Sequence, residues 1–296
     1  MNLFDGLGVA MVTPFTADHK IDYAGLKKLT THLLDGGVDY LVVQGTTGES
    51  PVLTKDEKRS VLDFVMEVNQ GRVPIVFGIG GNNTQVVCDT LDAFDGTGVS
   101  GILSASPSYN KPTQQGIYEH YKALSQSSQL PIILYNVPGR TGSNMTAETT
   151  LKLAHDFANI VAIKEASGDL NQVEDILAGR PQDFKVISGD DNLTLAMMAL
   201  GIDGLISVVG NAFPKEYAEM VHKGMFGAFH DARPIHFRMR KLVDLLFVEG
   251  NPGGVKEVLQ HLSICSNDVR LPLMPVSEET RQLLYREMAE KDLVKV

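Results

Sequence analysis

The chain has 296 residues, of which 43% are apolar and 21% charged, with a formal net charge of −10. That length fits one α/β barrel or two small domains, and the apolar share fills a large core. The negative balance excludes broad nucleic-acid binding and a polybasic membrane patch, since both need a basic face.

The chain opens with "MNLFDGLGVAM", which carries neither a basic leader nor a long apolar stretch. No later run reaches the roughly 18 apolar residues of a membrane span. A cytoplasmic protein with no membrane partner is expected. Short apolar runs then recur along the chain: "GVAMVTPF" (8–15), "YLVVQG" (40–45), "VPIVFGIG" (73–80) and "GILSASP" (101–107). They continue as "PIILYNV" (131–137), "IVAIKEAS" (160–167), "FKVISGD" (184–190) and "GLISVVG" (204–210). Continuous rather than alternating runs are the mark of parallel strands covered on both faces. Their spacing of roughly 20–35 residues matches a strand–helix unit.

The segments between them carry helix signals. "TKDE" (54–57) is a capping box, and "DNLTLAMMALG" (191–201) opens on cap residues and ends on glycine. From residue 214 the strands stop, and four segments beginning at 214, 226, 253 and 277 read as helices. No Gly/Ser/Pro-rich linker divides the eight units. The expectation is an α/β chain: a (β/α)8 TIM barrel over 1–224, then a C-terminal helical domain over 225–296. A doubly wound open sheet is the alternative. Cys88 and Cys265 fit no metal-ligand or CxxC spacing and read as buried or half-buried thiols.

In such a barrel the active site lies where the strands end at their C-termini. Those ends carry Thr46 and Thr47 in "GTTGES", Tyr109 in "SPSYNKP", Tyr135 and Arg140 in "YNVPGRTG", and Lys164 in "IVAIKEAS". "SGDD" (188–191) and Ile206–Ser207 complete the rim. Each has a plainer reading: a glycine turn, a core tyrosine, a surface ion-pair arginine, a helix cap, a solvated lysine. "GTTGES" is no P-loop, because no lysine follows its second glycine, and "GIGGNN" (78–83) lacks the third glycine of a dinucleotide fingerprint. Separate plain readings do not, however, place hydroxyls, one guanidinium and one amine on a single rim.

Burial at the end of an apolar strand penalises an ammonium and favours a neutral, nucleophilic amine. Lys164 is thus a candidate for Schiff-base chemistry with a carbonyl substrate. Glu165 should point to the opposite, helix-covered face. A keto-acid imine needs proton-relaying hydroxyls, which Tyr135, Thr46 and Tyr109 supply, and a carboxylate site, which Thr47 and nearby amides supply. Arg140 offers a planar fork for a second carboxylate. The chemistry requires no metal or redox cofactor.

"GTTGES", "SYNKP", "YNVPGRTG", "IKEASGD" and "SGDD", in this order and spacing, resemble the dihydrodipicolinate synthase family. The likeness spans almost the whole chain, through "LFVEGNP" and "VRLPLMPV". It implies a pyruvate-dependent lyase on a (β/α)8 barrel, condensing pyruvate with L-aspartate 4-semialdehyde. On this resemblance Lys164 forms the imine, Tyr135 shuttles protons, and Thr46 and Tyr109 complete the relay, Tyr109 from a neighbouring subunit. Thr47, Gly189 and the Ile206 backbone hold pyruvate, and Arg140 the aldehyde's carboxylate. A homotetramer built from tight dimers is implied. N-acetylneuraminate lyases and keto-deoxy-sugar acid aldolases are the rivals, and Arg140 is the residue that discriminates against the former.

A sugar-phosphate isomerase is disfavoured, because Asp190 and Asp191 would repel a phosphate after strand seven. A chemically dead binding barrel would lack the lysine, the arginine or a tyrosine. One departure from the family pattern concerns the lysine-binding cleft between subunits. The matching positions include Ser50, Lys55, Lys58, Asn82, Val86 and Ser108, with no acid at 86 and no tyrosine at 108. A cationic ligand would meet two lysines and no carboxylate. Weak or absent inhibition by lysine is expected in a steady-state assay; strong inhibition below millimolar lysine overturns it.

Overall fold

A computed structural model describes residues 3–294. Eight strands close into one all-parallel barrel in chain order: β1 Gly6–Ala10, β2 Tyr40–Val43, β3 Ile75–Gly78 and β4 Gly101–Ala105 form one half. β5 Ile132–Asn136, β6 Ile160–Glu165, β7 Lys185–Ser188 and β8 Gly204–Ser207 form the other. The open-sheet alternative is thereby excluded. Seven of the eight strands fall inside the runs expected from sequence. The first does not: it begins at Gly6, and residues 11–15 leave the barrel as a loop. These five residues are buried all the same, with the Met11 amide donating to the Val42 carbonyl, Phe15 bridging Ile21 and the Lys256 Nζ 4.3 Å over the Phe15 ring.

Barrel closure depends on a close approach of β1 and β8. A Cβ on Gly204 would sit 2.2 Å from the Gly6 carbonyl oxygen, so only glycine lets these strands meet. Two cores result. Inside the barrel lie Ala10, Tyr40, Val42, Val76, Leu103, Ile133, Ala162, Ile187 and Ile206. Between the strands and helices lie Leu41, Val43, Ile132, Leu134, Ile163 and Val186 with the apolar stripes of the helices. The alternation of neighbouring residues between these cores is the period of two expected of a strand.

The helices begin at defined caps. Thr54 accepts from the Glu57 amide and Glu57 returns to the Thr54 amide, so the capping box opens α2 Lys55–Asn69, which follows α1 Tyr23–Asp35. Asn83, Thr113, Thr146 and Asp169 cap α3 Thr84–Asp92, α4 Gln114–Ser127, α6 Ala147–Asp156 and α7 Leu170–Gly179, with a short α5 at Pro138–Thr141. α8 Thr194–Leu200 ends on Gly201 at positive φ, as expected, but no side chain caps its start. α9 Pro214–Met225 packs against β1 and β8. α10 Phe229–Phe247, α11 Gly253–His261 and α12 Glu278–Glu290 follow, α10 lying against α8, α9 and α12. Both cysteines are buried and free. Among the described residues no helix is long and apolar enough to cross a membrane.

Candidate active site

The strand register sets the centre. β5 and β6 pair Tyr135 with Lys164 and Asn136 with Glu165. Since Ala162 lies in the inner core and Ile163 in the outer one, Lys164 points into the barrel mouth and Glu165 away from it. Lys164 is 5% exposed, and its Nζ stands 4.4 Å from the centroid of the Tyr135 ring. The face of the ring attracts a cation there, and the buried Asp191 carboxylate adds a Coulombic attraction without a direct ion pair. Among the described residues Lys164 has no ion pair and the Tyr135 hydroxyl no hydrogen bond, so both remain available to a substrate. Glu165 is buried on the helix side, accepting from Gln172 Nε2 of α7 at 2.9 Å, as the alternation predicts.

Gly189 closes one wall. A Cβ there would lie 2.8 Å from Lys164 Cε and 2.8 Å from Ala166 Cβ. The glycine therefore makes room for the lysine stem, a reason for this position that the sequence alone does not disclose. Ile206 is fully buried on the inner face of β8. Thr47 lies in a 3-10 turn, Thr46–Gly48, pinned by Thr13 Oγ1 donating to the Gly48 carbonyl at 2.7 Å. Asn251 Nδ2 donates to Thr47 Oγ1 at 2.9 Å. With its oxygen occupied by that donor, the Thr47 hydroxyl proton is left to donate elsewhere. Thr46 is half-buried beside it.

Two residues stand apart. Arg140 is exposed on α5 and forms no ion pair among the described residues, which removes the surface ion-pair reading. Tyr109 is 91% exposed, with φ +71° and its amide held by the Thr141 carbonyl at 3.2 Å. Its side chain does not enter the mouth of its own barrel. Asn82 and Ser108 bond to each other and Val86 is exposed.

Sequence reasoning weighed the two aspartates only as a helix cap or a phosphate-repelling pair. Asp190 does receive the Asn192 and Leu193 amides, at 2.9 and 3.1 Å. Asp191 is instead buried, accepting from the Ser207 hydroxyl and from the Val208 amide at 3.0 Å. Burial pushes its carboxyl up to about 6, against the pull of those hydrogen bonds. It ties the end of β7 to the end of β8 beside Ile206. Asn251 and the buried pair Glu49–Lys256 were also missed, though "GTTGES" and "LFVEGNP" contain two of the three. A cleft of about 350 Å³ opens beside this rim, lined by Gly189–Asn192 and by Val243, Asp244, Phe247 and Val248 of the α10 end. The rim offers a buried amine against a phenol ring and, in the Thr46–Gly48 turn, a hydroxyl free to donate; the Arg140 guanidinium stands exposed on α5.

Known proteins resemble this chain over nearly its whole length. The 4-hydroxy-tetrahydrodipicolinate synthase of Phocaeicola vulgatus is 51% identical over 270 residues, covering 91% of each chain. That of Parabacteroides distasonis is 49% identical over 285 residues, covering 96% of this chain and 95% of the relative. The crystal structure of dihydrodipicolinate synthase from Thermotoga maritima superposes with a TM-score of 0.95 at 39% identity, covering 99% of this chain and 100% of that one. The dihydrodipicolinate synthetase family model matches residues 3–291, and the chain belongs to that family.

Proposed function

We propose that the chain condenses pyruvate with L-aspartate 4-semialdehyde through a Schiff base on Lys164, giving 4-hydroxy-tetrahydrodipicolinate. The observation that carries this reading is the buried Lys164 amine against the Tyr135 ring, held in no ion pair among the described residues. The amine attacks the keto carbon of pyruvate, and loss of water forms the imine. Removal of a methyl proton gives an enamine, whose carbon bonds to the aldehyde. The substrate's own amine then displaces Lys164 as the ring closes, returning the free lysine. Tyr135 relays protons, with Thr46 and Tyr109 completing the chain.

Thr47, Gly189 and the Ile206 backbone hold pyruvate, and Arg140 takes the carboxylate of the aldehyde as a fork. Tyr109, extended away from its own barrel, supports donation into a neighbouring subunit of a homotetramer. The barrel over 1–224 carries the chemistry, and the helices of 225–296 brace its rim. No cofactor is needed for these steps, and the setting is the cytoplasm.

Incubation with pyruvate and borohydride should leave one reduced adduct, located at Lys164 by peptide mass spectrometry. Turnover should then follow with aspartate semialdehyde and not with N-acetylneuraminate. An adduct at another lysine sinks the mechanism; cleavage of N-acetylneuraminate at comparable kcat/KM sinks the substrate assignment.

A further inference from the structure

We propose that the buried carboxylate of Glu165, with Asn136 and Asn144, is a positioning network that holds the Arg140 loop in register with the Lys164–Tyr135 pair. Glu165 and Asn136 are the outward neighbours of Lys164 and Tyr135 on adjacent strands. Their side chains bond directly, Asn136 Nδ2 donating to Glu165 Oε2 at 2.9 Å. The orientation of the Asn136 amide is fixed by chemistry. The Met145 backbone N–H can only donate, and it reaches Asn136 Oδ1 at 3.0 Å, so the nitrogen must face Glu165.

The second hydrogen of that nitrogen goes to Asn144 Oδ1 at 2.7 Å. Asn144 Nδ2 in turn donates to Gln172 Oε1 at 2.7 Å, and Gln172 Nε2 donates to Glu165 Oε2 at 2.9 Å. The ring is closed, and Glu165 Oε1 is occupied by the Ser167 amide at 2.6 Å. All three donors aim at one acceptor-only group, which a carboxylate satisfies and a carboxamide cannot.

The consequence lies in where the ring attaches. The chain leaves β5 at Asn136, passes through Arg140 and returns at Asn144 and Met145. The returning end of that excursion is bonded to Asn136 through Asn144 and Met145, and Asn136 is bonded to the residue next to Lys164. Thr141, inside the loop, also carries the Tyr109 amide on its carbonyl. Displacement of the guanidinium by about 1 Å is enough to cost a large factor in rate when it orients a substrate. The network thus couples the second-substrate anchor to the nucleophile from behind the barrel wall, touching no substrate itself.

This inference rests on the assignment of Arg140 to the aldehyde, and its test is built to separate the two. Asn144 is exposed, so Asn144→Ala should fold normally. It is expected to raise the aldehyde KM about tenfold, with the pyruvate KM and borohydride trapping at Lys164 within twofold of wild type. In an Arg140→Ala background the same change should have almost no further effect, because the loop then has nothing to position. Glu165→Gln should give the same pattern more strongly. Equal loss from Asn144→Ala with and without Arg140, or a parallel rise in the pyruvate KM, overturns the inference. A wrong role for Arg140 is recognised separately, by Arg140→Ala leaving the aldehyde KM unchanged.

Discussion

Lys164→Ala is expected to lower kcat/KM for the condensation by a factor on the order of 10⁴ or more, because no other group can supply the covalent route. Lys164→Arg should be equally inactive, since a guanidinium keeps its proton and cannot form the imine. Neither loss should come from unfolding. Lys164 holds no ion pair among the described residues, so its removal breaks no salt bridge; the buried Asp191, which Lys164 attracts, is left with its hydrogen bonds from Ser207 and Val208. Lys164→Met is expected to keep or raise the melting temperature, the usual trade between a destabilised active site and stability. Arg140→Ala gives the complementary result. Loss of a charge-assisted hydrogen bond of about 1.5–3 kcal/mol raises the aldehyde KM roughly 10- to 100-fold. Pyruvate trapping at Lys164 should survive it. Steady-state kinetics with both substrates, borohydride trapping and thermal melts on the three lysine variants decide the matter. Residual activity of the alanine enzyme within about 100-fold of wild type would falsify the covalent mechanism.

The legible part of this molecule was local. Parallel strands covered on both faces leave unbroken apolar runs, so all eight are found from sequence, the first displaced toward its C-terminal end, and a lysine interrupting one of them stands out. The Thr54 capping box has a spacing of three residues and was read correctly for the same reason. What escaped was set by long-range packing. Asn251 meets Thr47 across 204 positions and Lys256 meets Glu49 across 207, and nothing near either end announces the other. Lys256 and Glu257 in "GGVKEVLQH" look like the solvated face of a helix, yet α11 is buried from Gly253 through Leu259. Asp191 looked like a cap because caps are commonly aspartates at strand–helix junctions. Only the position of Ser207 shows that it turns inward instead.

The buried pair leads to the second large effect, on stability. Lys256 is 0% exposed, with its Nζ 2.5 Å from Glu49 Oε1, 2.7 Å from the Asp268 carbonyl and 4.3 Å above the Phe15 ring. Burial pulls the lysine down from its ordinary value, and Glu49 opposes that pull. Glu49 itself has φ +55° between two 3-10 turns, and its second oxygen accepts the Arg270 amide at 3.0 Å. Lys256→Met would leave that carboxylate buried without a cation, which costs about 3–5 kcal/mol. For a chain of this size the melting temperature should fall by roughly 10 °C. Glu49→Leu combined with Lys256→Met removes both charges and should recover most of the loss, since a buried pair replaced by apolar groups is often neutral. Thermal or denaturant unfolding of the two single variants and the double variant forms the cycle, and an additive double variant refutes the coupling. The same cycle reads the link to function. Glu49 directly follows the Thr46–Gly48 turn, so the loss of Lys256 should loosen the Thr47 hydroxyl and raise the pyruvate KM. The double variant should regain stability without regaining that KM, because two apolar side chains restore packing but not the bond from the Arg270 amide to the side chain of Glu49.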